Sequence, residues 1–494
     1  MSIDPLPTSS HGNKLGRTGI LVLILLVLVA AFFRLWGLPR ESLDMDEVFT
    51  YRVVNATGPD AIRMIRDDLV HPPVFYYVVR FWTAIGGMSV LGVRFVSLAS
   101  GIGLVALMWY MGHKFSNLRV AAWLAAALVA VNDVHIYHSQ QARSTAFYVL
   151  LCGLLLLWTW MLPRFGQSLP FWGIGTLLMV LLVYSHYIGA VYIACVTLAV
   201  AIATESWRVR RRIFLAATVS AIGILPWLDL EYPVYLAKKT GLADNLGWMG
   251  PPSTFQLASL WASFIGVPDI PAATTLVLLL GGGLIAMGIV FRERTPQTRL
   301  ILSTLVLTAV VPPILAFAAS QKPLNLPIFG ERYLLPSMLS WLILVAYGVS
   351  QMASRVAFRK AMLVCGAAVL LTLQLAPTLQ AMRSAPRRLP FADVARDVEG
   401  NVPVYTTVFY AIGEPVNFYL NGRGTVQSLT LPDSIDVLPS TFVLLYRPKI
   451  NVELSQFDVL VNQGWSVLDQ KDYYNGKRSA GFVRASRMCR GACK

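Results

Sequence analysis

A polytopic α-helical membrane protein of about eleven spans, with a small α/β domain at its C-terminal end, is the fold class this sequence predicts. Three observations carry that prediction. The 494-residue chain is 56% apolar and only 14% charged, and its mean hydropathy of +0.59 lies beyond what a soluble globular domain carries. Its formal net charge of +15 comes from Lys and Arg in short spacers between apolar runs. That pattern orients membrane proteins by their positive cytoplasmic loops; nucleic-acid binding would instead need one basic face on a soluble domain. Finally, a last stretch of about 110 residues loses the continuous apolar character and reads as a domain of ordinary size.

A bilayer core takes about 20 apolar helical residues. By that ruler the spans run Ile20–Leu38, Phe95–Gly112, Leu118–Ile136, Thr145–Leu162, Leu169–Tyr184, Tyr187–Thr204, Ile213–Leu230, Ala272–Phe291, Leu300–Ala319, Tyr333–Gly348 and Ala361–Ala376. The first is a signal anchor, because no small-residue cleavage site follows it. With the tail of residues 1–19 (Lys14, Arg17) inside, every second spacer should be basic. These hold Lys114 and Arg119; Arg164; Arg208 with Arg210, Arg211 and Arg212; Arg292, Arg294 and Arg299; and Arg355, Arg359 and Lys360. The alternation holds throughout. It defines a membrane domain over residues 20–380 with a long first outer loop, 39–94, and puts an α/β domain over 385–494 on the same outer side. In that domain, helical runs at Phe391–Val398 and Glu414–Leu420 alternate with strand-like runs at Val402–Phe409 and Thr441–Tyr446. Cys152, Cys195 and Cys365 lie within apolar segments and read as packing residues. Cys489 and Cys493 would pair only if the tail faces an oxidising compartment.

The polar strings collect at the predicted outer ends. Asp44, Asp46 and Glu47 follow the first span directly. They suit an N-cap and first helical turn, yet carboxylates beside a bilayer usually have a role. Further along the same loop, Asp67 and Asp68 precede His71-Pro72-Pro73, after which a helix should restart and lay Phe75, Tyr76, Tyr77, Phe81 and Trp82 at the membrane surface. Three more clusters stand at outer ends: Asp133 to Arg143 with Gln141 among them, Tyr184 to Tyr187, and Gly330 to Tyr333. The tyrosines would suit an interfacial belt. Arg94, Arg143 and Arg332 sit where the positive-inside rule disfavours them, and a guanidinium fork suits a phosphate.

In order and spacing these strings resemble the GT-C membrane glycosyltransferases, in the branch with protein O-mannosyltransferases and the aminoarabinose transferases of lipid A. The resemblance covers residues 20 to about 350. Asp46-Glu47 matches that branch's Asp-Glu pair, and His71 to Tyr77 its His-Pro-Pro-hydrophobic-Tyr-Tyr string. Arg94, then His138 to Arg143, then Ser185 to Tyr187, then Arg332 to Leu334 follow in turn. Gln141 departs from the pattern, which has Glu there, so metal dependence and acceptor choice stay open.

The resemblance implies transfer of a sugar from a polyprenyl-phosphate donor to a lipid, glycan or protein acceptor on the extracytoplasmic face of a cell membrane, with inversion. It requires no nucleic acid and no certain cofactor, a divalent cation staying open. Such chemistry needs a general base, for which Asp46 is the candidate, and cations for the leaving phosphate. Arg143 and Arg332 are the candidates there, with Arg94 and His71 behind them. Glu47 would assist the base, and Asp68, Tyr77, Gln141, His186, Tyr187 and Tyr333 would contact substrate. No Gly-rich phosphate loop for a nucleotide sugar follows any strand. A lipid or glycoconjugate transporter is the rival reading, but transporters place acids near the midplane and repeat their halves. Neither feature is legible here.

Overall fold

The computed structural model describes residues 16–237, 250–267, 270–290, 295–354, 358–383, 387–400, 403–407, 409–429, 438–448, 451–474 and 482–490. Lys14, Arg292, Arg294, Arg355, Val402 and Cys493 lie outside the described residues. Each of the eleven apolar runs falls on helix. Among the described residues, seven helices are long and apolar enough to cross a bilayer, one run is a bent pair, and the remaining three are shorter apolar helices.

Helix α1 (Arg17–Leu35) leads into a surface layer of three helices. These are α2 (Met45–Asn55), α3 (Gly58–Asp68) and α4 (Val74–Gly86). Pro73 stands at the N-cap of α4, where its missing N–H costs nothing. Next come α5 (Val90–Lys114), α6 (Arg119–Ala130), α7 (Asp133–Ser139), α8 (Ser144–Trp160), the single turn α9 (Leu162–Phe165), α10 (Leu169–Val183) and α11 (Gly189–Ala203). The chain continues through α12 (Trp207–Gly223), α13 (Leu225–Ala237), α14 (Thr254–Phe264), α15 (Pro271–Val290), α16 (Pro296–Ala319), α17 (Glu331–Ser354) and α18 (Arg359–Arg383).

Burial sorts them. The apolar window of α17 is 94% buried, against 17% for α1, α15 and α18, so α17 is the centre of the bundle and the other three present apolar side chains such as Leu21, Leu279 and Val364 outward. A Cβ on Gly348 of α17 would collide with the Leu284 carbonyl of α15, so only glycine allows that approach.

The run Leu118–Ile136 is not one straight span: α6 and α7 meet at a 62° bend. Asn132 makes the break. Its side chain accepts from His135 N (2.8 Å) to cap α7, and donates to Gln374 Oε1 (2.6 Å) and the Phe264 carbonyl (3.1 Å). Arg34, buried near the end of α1, is likewise satisfied inside the protein, by the Ala30, Val129 and Ala130 carbonyls and by Ser139 Oγ. A charge at that depth persists only with such partners.

The C-terminal domain holds a five-stranded sheet in the order β2-β1-β3-β5-β4. The strands are β1 (Val404–Thr406), β2 (Val426–Ser428), β3 (Thr441–Tyr446), β4 (Trp465–Tyr474) and β5 (Phe482–Arg490). β1 runs parallel to β2 and β3, whereas β5 is antiparallel to β3 and β4. Central β3 is apolar at every position from Phe442 to Tyr446 because both its faces are covered. Val443 and Leu445 pack under α19 (Phe391–Val398) and α20 (Glu414–Leu420), and Phe442, Leu444 and Tyr446 pack beside Leu460 of α21 (Asn451–Asn462). The expected strand-like runs at 402–409 and 441–446 contain β1 and β3. Strands β2, β4 and β5 and helix α21 come in addition. Cys489 is disulfide-bonded, and Cys152, Cys195 and Cys365 are free.

Candidate active site

The three acids after α1 fold as a helix start, and that start aims each of them differently. Asp44 is the N-cap of α2. It accepts from Glu47 N (3.0 Å) while Glu47 Oε2 accepts from Asp44 N (3.3 Å), a reciprocal capping box. Successive helical residues project about 100° apart. Glu47 therefore points into the bundle and is fully buried, whereas the Asp46 side chain stays 33% exposed.

Glu47 is the hub of a buried knot. Arg94, also fully buried, donates to it through Nε (2.8 Å to Oε1) and Nη2 (2.9 Å to Oε2). The remaining Arg94 donors go to the Leu38, Glu41 and Ser42 carbonyls, so all five are used within the protein. Arg388 adds Nη1 at 2.6 Å to Glu47 Oε2, and Ala142 N donates at 2.8 Å to Oε1. Against the pull of burial, Arg388 and Arg94 hold the Glu47 carboxyl below the usual range. Burial and the neighbouring Glu47 charge push Asp44 the other way, up to about 6.

Asp46 lies in a looser cluster. Arg143, the N-cap residue of α8, brings Nη2 to 3.4 Å from Asp46 Oδ2, and Arg332, in the first turn of α17, brings Nη1 to 3.2 Å from the same oxygen. Two guanidiniums from distant elements thus converge on one anionic oxygen, at separations longer than the 2.7–2.9 Å of a tight charge-assisted bond. Arg332 also donates to Tyr333 Oη (2.8 Å). Imidazoles wall the cluster: His186 stacks on Tyr148 (centroids 4.7 Å), tilts against Tyr333 (5.2 Å) and meets His71 edge-on (5.5 Å). Burial, reinforced by the Arg332 and Arg143 charges, pushes His186 down to about 3. Burial, with the Arg143, His186 and Arg332 charges, holds His71 well below its ordinary value. Both rings are therefore neutral near pH 7. His71 Nδ1 is buried and has no partner among the described residues. Leu69, just before it, is held at φ +59°, a left-handed conformation that costs a non-glycine residue energy.

Around this centre the structure gathers Asp46, Arg143, Arg332, His71, His186 and Tyr333. Gln141 lies one step away, its Nε2 3.5 Å from Asp44 Oδ2 and its Oε1 at 3.1 Å from His138 Nδ1. Asp68 is half-buried and acts electrostatically on Arg143, Tyr76 and Tyr187. Tyr77 is 39% exposed. It is Tyr76, buried beside Arg143, that faces the cluster. Tyr187 turns to a different carboxylate, donating to Glu231 Oε2 (2.5 Å). Arg94 and Glu47, expected at the phosphate and the base, are occupied with each other. Among the described residues no group of three His, Cys, Asp or Glu side chains could hold a metal ion, and the carboxylate at the centre is already flanked by two cations. The described residues at this centre do not fit a divalent cation.

Arg388, Glu231 and Tyr76 are the residues that sequence reading missed. Arg388 sits in a polar stretch with Arg383 and Arg387, where nothing distinguishes the buried member. Glu231 does carry a signal, as an acid within the 31-residue apolar stretch Trp207–Ala237.

The fold these helices build is the GT-C fold of membrane glycosyltransferases. ArnT from Cupriavidus metallidurans in the apo state matches over 94% of this chain and 97% of its own, with TM-score 0.58 at 12% identity. Looser matches are ArnT bound to undecaprenyl phosphate (TM-score 0.48, 13% identity, 95% of this chain and 98% of that one) and the Archaeoglobus fulgidus oligosaccharyltransferase AglB with an inhibitory peptide and a dolichol-phosphate (TM-score 0.49, 11% identity, 87% and 69%). No protein-family model matches the sequence, and no curated protein matches it.

Proposed function

We propose that this protein is a glycosyltransferase that moves a sugar from a polyprenyl-phosphate donor to an acceptor on the extracytoplasmic face of the membrane. The observation that carries the reading is the convergence of Arg143 and Arg332 on Asp46 Oδ2. Two fixed guanidiniums make an anion site, and one carboxylate at its edge makes a base.

In the reaction the acceptor oxygen forms a bond to the anomeric carbon. The bond from that carbon to the phosphate oxygen breaks, its electron pair leaves with the phosphate, and the acceptor proton passes to Asp46. Negative charge grows on the phosphate as this happens, so cations aimed at it stabilise the transition state more than the ground state. Without donor, Asp46 itself is the anion between the arginines. A phosphate arriving there competes for both guanidiniums and releases Asp46 to act as base. His71 and His186, neutral, offer hydrogen bonds to sugar or phosphate without adding charge. Glu47, Arg94 and Arg388 are positioning residues: they fix the first turn of α2 and thereby the direction of Asp46.

The orientation rests on the basic spacers, which alternate with the polar clusters along the chain. The domain limits remain residues 20–380 for the catalytic part, including the outer loop 39–94, and 385–494 for the sheet domain.

The test is sugar transfer or release from a panel of labelled polyprenyl-phosphate sugars by purified protein in lipid, with wild type compared to Asp46→Asn. Turnover of one donor that disappears in the variant supports the proposal. A folded protein that turns over none of them, with or without added acceptor lipids and peptides, overturns it.

A further inference from the structure

The sheet domain reaches back onto the loop that carries Asp46, and it does so from two separate parts of its own chain. The first part leads into the domain. The amides of Arg387 and Arg388 donate to Glu41 Oε1 (2.6 Å) and Oε2 (3.0 Å), and the amide of Ala392, in the first turn of α19, donates to Ser42 Oγ (3.2 Å). The second part is α20, where Tyr419 Oη accepts from the Leu43 amide (2.6 Å). Beside it Phe418 meets Tyr51 of α2 edge-on, with centroids 4.9 Å apart. Three consecutive residues ahead of the N-cap Asp44 are therefore each held by the sheet domain. Loops ordinarily keep their polar groups in water, but Glu41 and Ser42 are 6% exposed and Leu43 is fully buried.

Arg388 carries the hold across to a second segment. Its Nη1 donates to Glu47 Oε2 (2.6 Å) and its Nη2 to the Gln140 carbonyl (3.1 Å). Glu47 directly follows Asp46, and Gln140 stands three residues before Arg143. One guanidinium thus bridges the turn that carries the candidate base and the segment that leads to an arginine of the anion site. Its planar fork fixes the angle between the two bonds. The neighbouring Arg387 pairs with Asp133 (2.9 Å) at the start of α7, the helix that Gln140 caps. Arg94 already meets Glu47 with a two-bond pair, so Arg388 adds a connection rather than a missing counter-charge.

We propose, resting on the donor reading above, that the sheet domain is a working part of the active site: it clamps residues 41–43 and, through Arg388, sets the spacing between Asp46 and Arg143. Arg388 and Tyr419 are positioning residues, which act on Asp46 through Glu47 and Leu43. Their effect falls on the transfer step. The arginines of the anion site stand on α8 and α17 and keep their own helices when the clamp is loosened, whereas a base misplaced by about 1 Å loses about 10²-fold in rate.

The test uses full-length protein in phosphatidylcholine nanodiscs and three variants: Tyr419→Phe, which removes one hydroxyl and keeps the ring, Arg388→Ala, and Arg388→Lys. Amide hydrogen exchange reads the clamp without any turnover. Residues 41–47 should exchange about tenfold faster in Tyr419→Phe and Arg388→Ala, the worth of a lost hydrogen bond, while α6 and α17 exchange as in wild type. In the transfer assay kcat should fall about tenfold in Tyr419→Phe and about 10²-fold in Arg388→Ala, with donor KM and undecaprenyl phosphate affinity within about twofold of wild type. Arg388→Lys should restore most of the melting temperature that Arg388→Ala loses, but not the kcat, because an ammonium lacks the fork that spans Glu47 and Gln140. Wild-type exchange at residues 41–47 in both Tyr419→Phe and Arg388→Ala overturns the clamp. So does a kcat that only follows the melting temperature across the three variants, since Arg388 and Tyr419 would then serve the fold alone. A wild type that turns over no donor overturns the donor reading, and with it the catalytic role of the clamp, even where exchange at 41–47 rises as expected.

Discussion

Asp46 and Glu47 are neighbours in the chain and opposites in the structure. Glu47 has no exposure and receives bonds at 2.6–2.9 Å from two arginines and a backbone amide. Asp46 is one-third exposed and has two arginines at 3.2–3.4 Å. Both are carboxylates with two guanidiniums, so the chemistry of the pairing does not separate them. Depth and fit do. A charge knot closed to solvent, in which Arg94 places all five of its donors, serves to hold backbone. A charge cluster that is open and loosely fitted has capacity left for a ligand.

The largest expected effect attacks the closed member. Glu47→Ala leaves Arg94 and Arg388 buried without their anion, and losing one partner of a buried ion pair costs about 3–5 kcal/mol. Thermal unfolding in lipid should show a large fall in stability, and loss of activity would follow from it. A variant as stable as wild type would mean the knot contributes nothing to the fold. Asp46→Asn inverts the pattern. Stability should change by no more than about 1 kcal/mol, as for exposed pairs, while turnover falls about 10²–10⁴-fold. If Asp46→Asn unfolds the protein instead, the contrast between the two acids is wrong.

A third experiment sharpens the open cluster. Arg332→Ala should weaken binding of polyprenyl phosphate about tenfold or more, the worth of a charge-assisted bond, with little change in melting temperature. Equal losses of binding and stability would make Arg332 a structural residue.

Next in size is a pH effect. His186 titrates near 3 when folded, against an ordinary value of 6.5. Between those values the unfolded chain binds a proton that the folded chain refuses, so stability falls as pH drops through this window and is fully present above it. Melting temperatures at pH 7 and pH 5 should differ less in His186→Gln than in wild type. Identical differences would mean that His186 does not titrate as its surroundings imply. The smallest effect belongs to the rim. The Arg52–Glu414 pair between α2 and α20 is 43% and 16% exposed, and Arg52→Ala should cost about 0–1 kcal/mol.

What the sequence revealed depends on where polar residues are rare. In a chain this apolar, Asp46, Arg143 and Arg332 stand out at the ends of spans, and the structure does bring them together. The bilayer's thickness likewise marks the apolar runs, each of which is helical. Depth is not written that way. Arg94 and Glu47 look the same in sequence as Arg143 and Asp46, and only packing tells which pair is sealed. Arg388 was invisible for the opposite reason, since it lies where charge is common. The bend at Asn132 had its signal in an Asn-Asp pair within an apolar run, which length alone overrode. Strand β4 was missed because most of it faces solvent: Ser466 to Lys471 are exposed, so no alternation betrays it.

The knot around Glu47 has a consequence for biosynthesis. Arg94 follows Glu47 by 47 residues and Arg388 by 341. At about 5–20 residues per second, the second arginine leaves the ribosome some tens of seconds after the acid it will meet. The Glu41 carboxylate also waits that long for the Arg387 and Arg388 amides. Every span after α1 is made in that interval, while the first turn of α2 is held from one side only. The nascent protein is thus assembled around an unfinished first loop, and that loop is completed only after α18, the last of the apolar helices described, has been made.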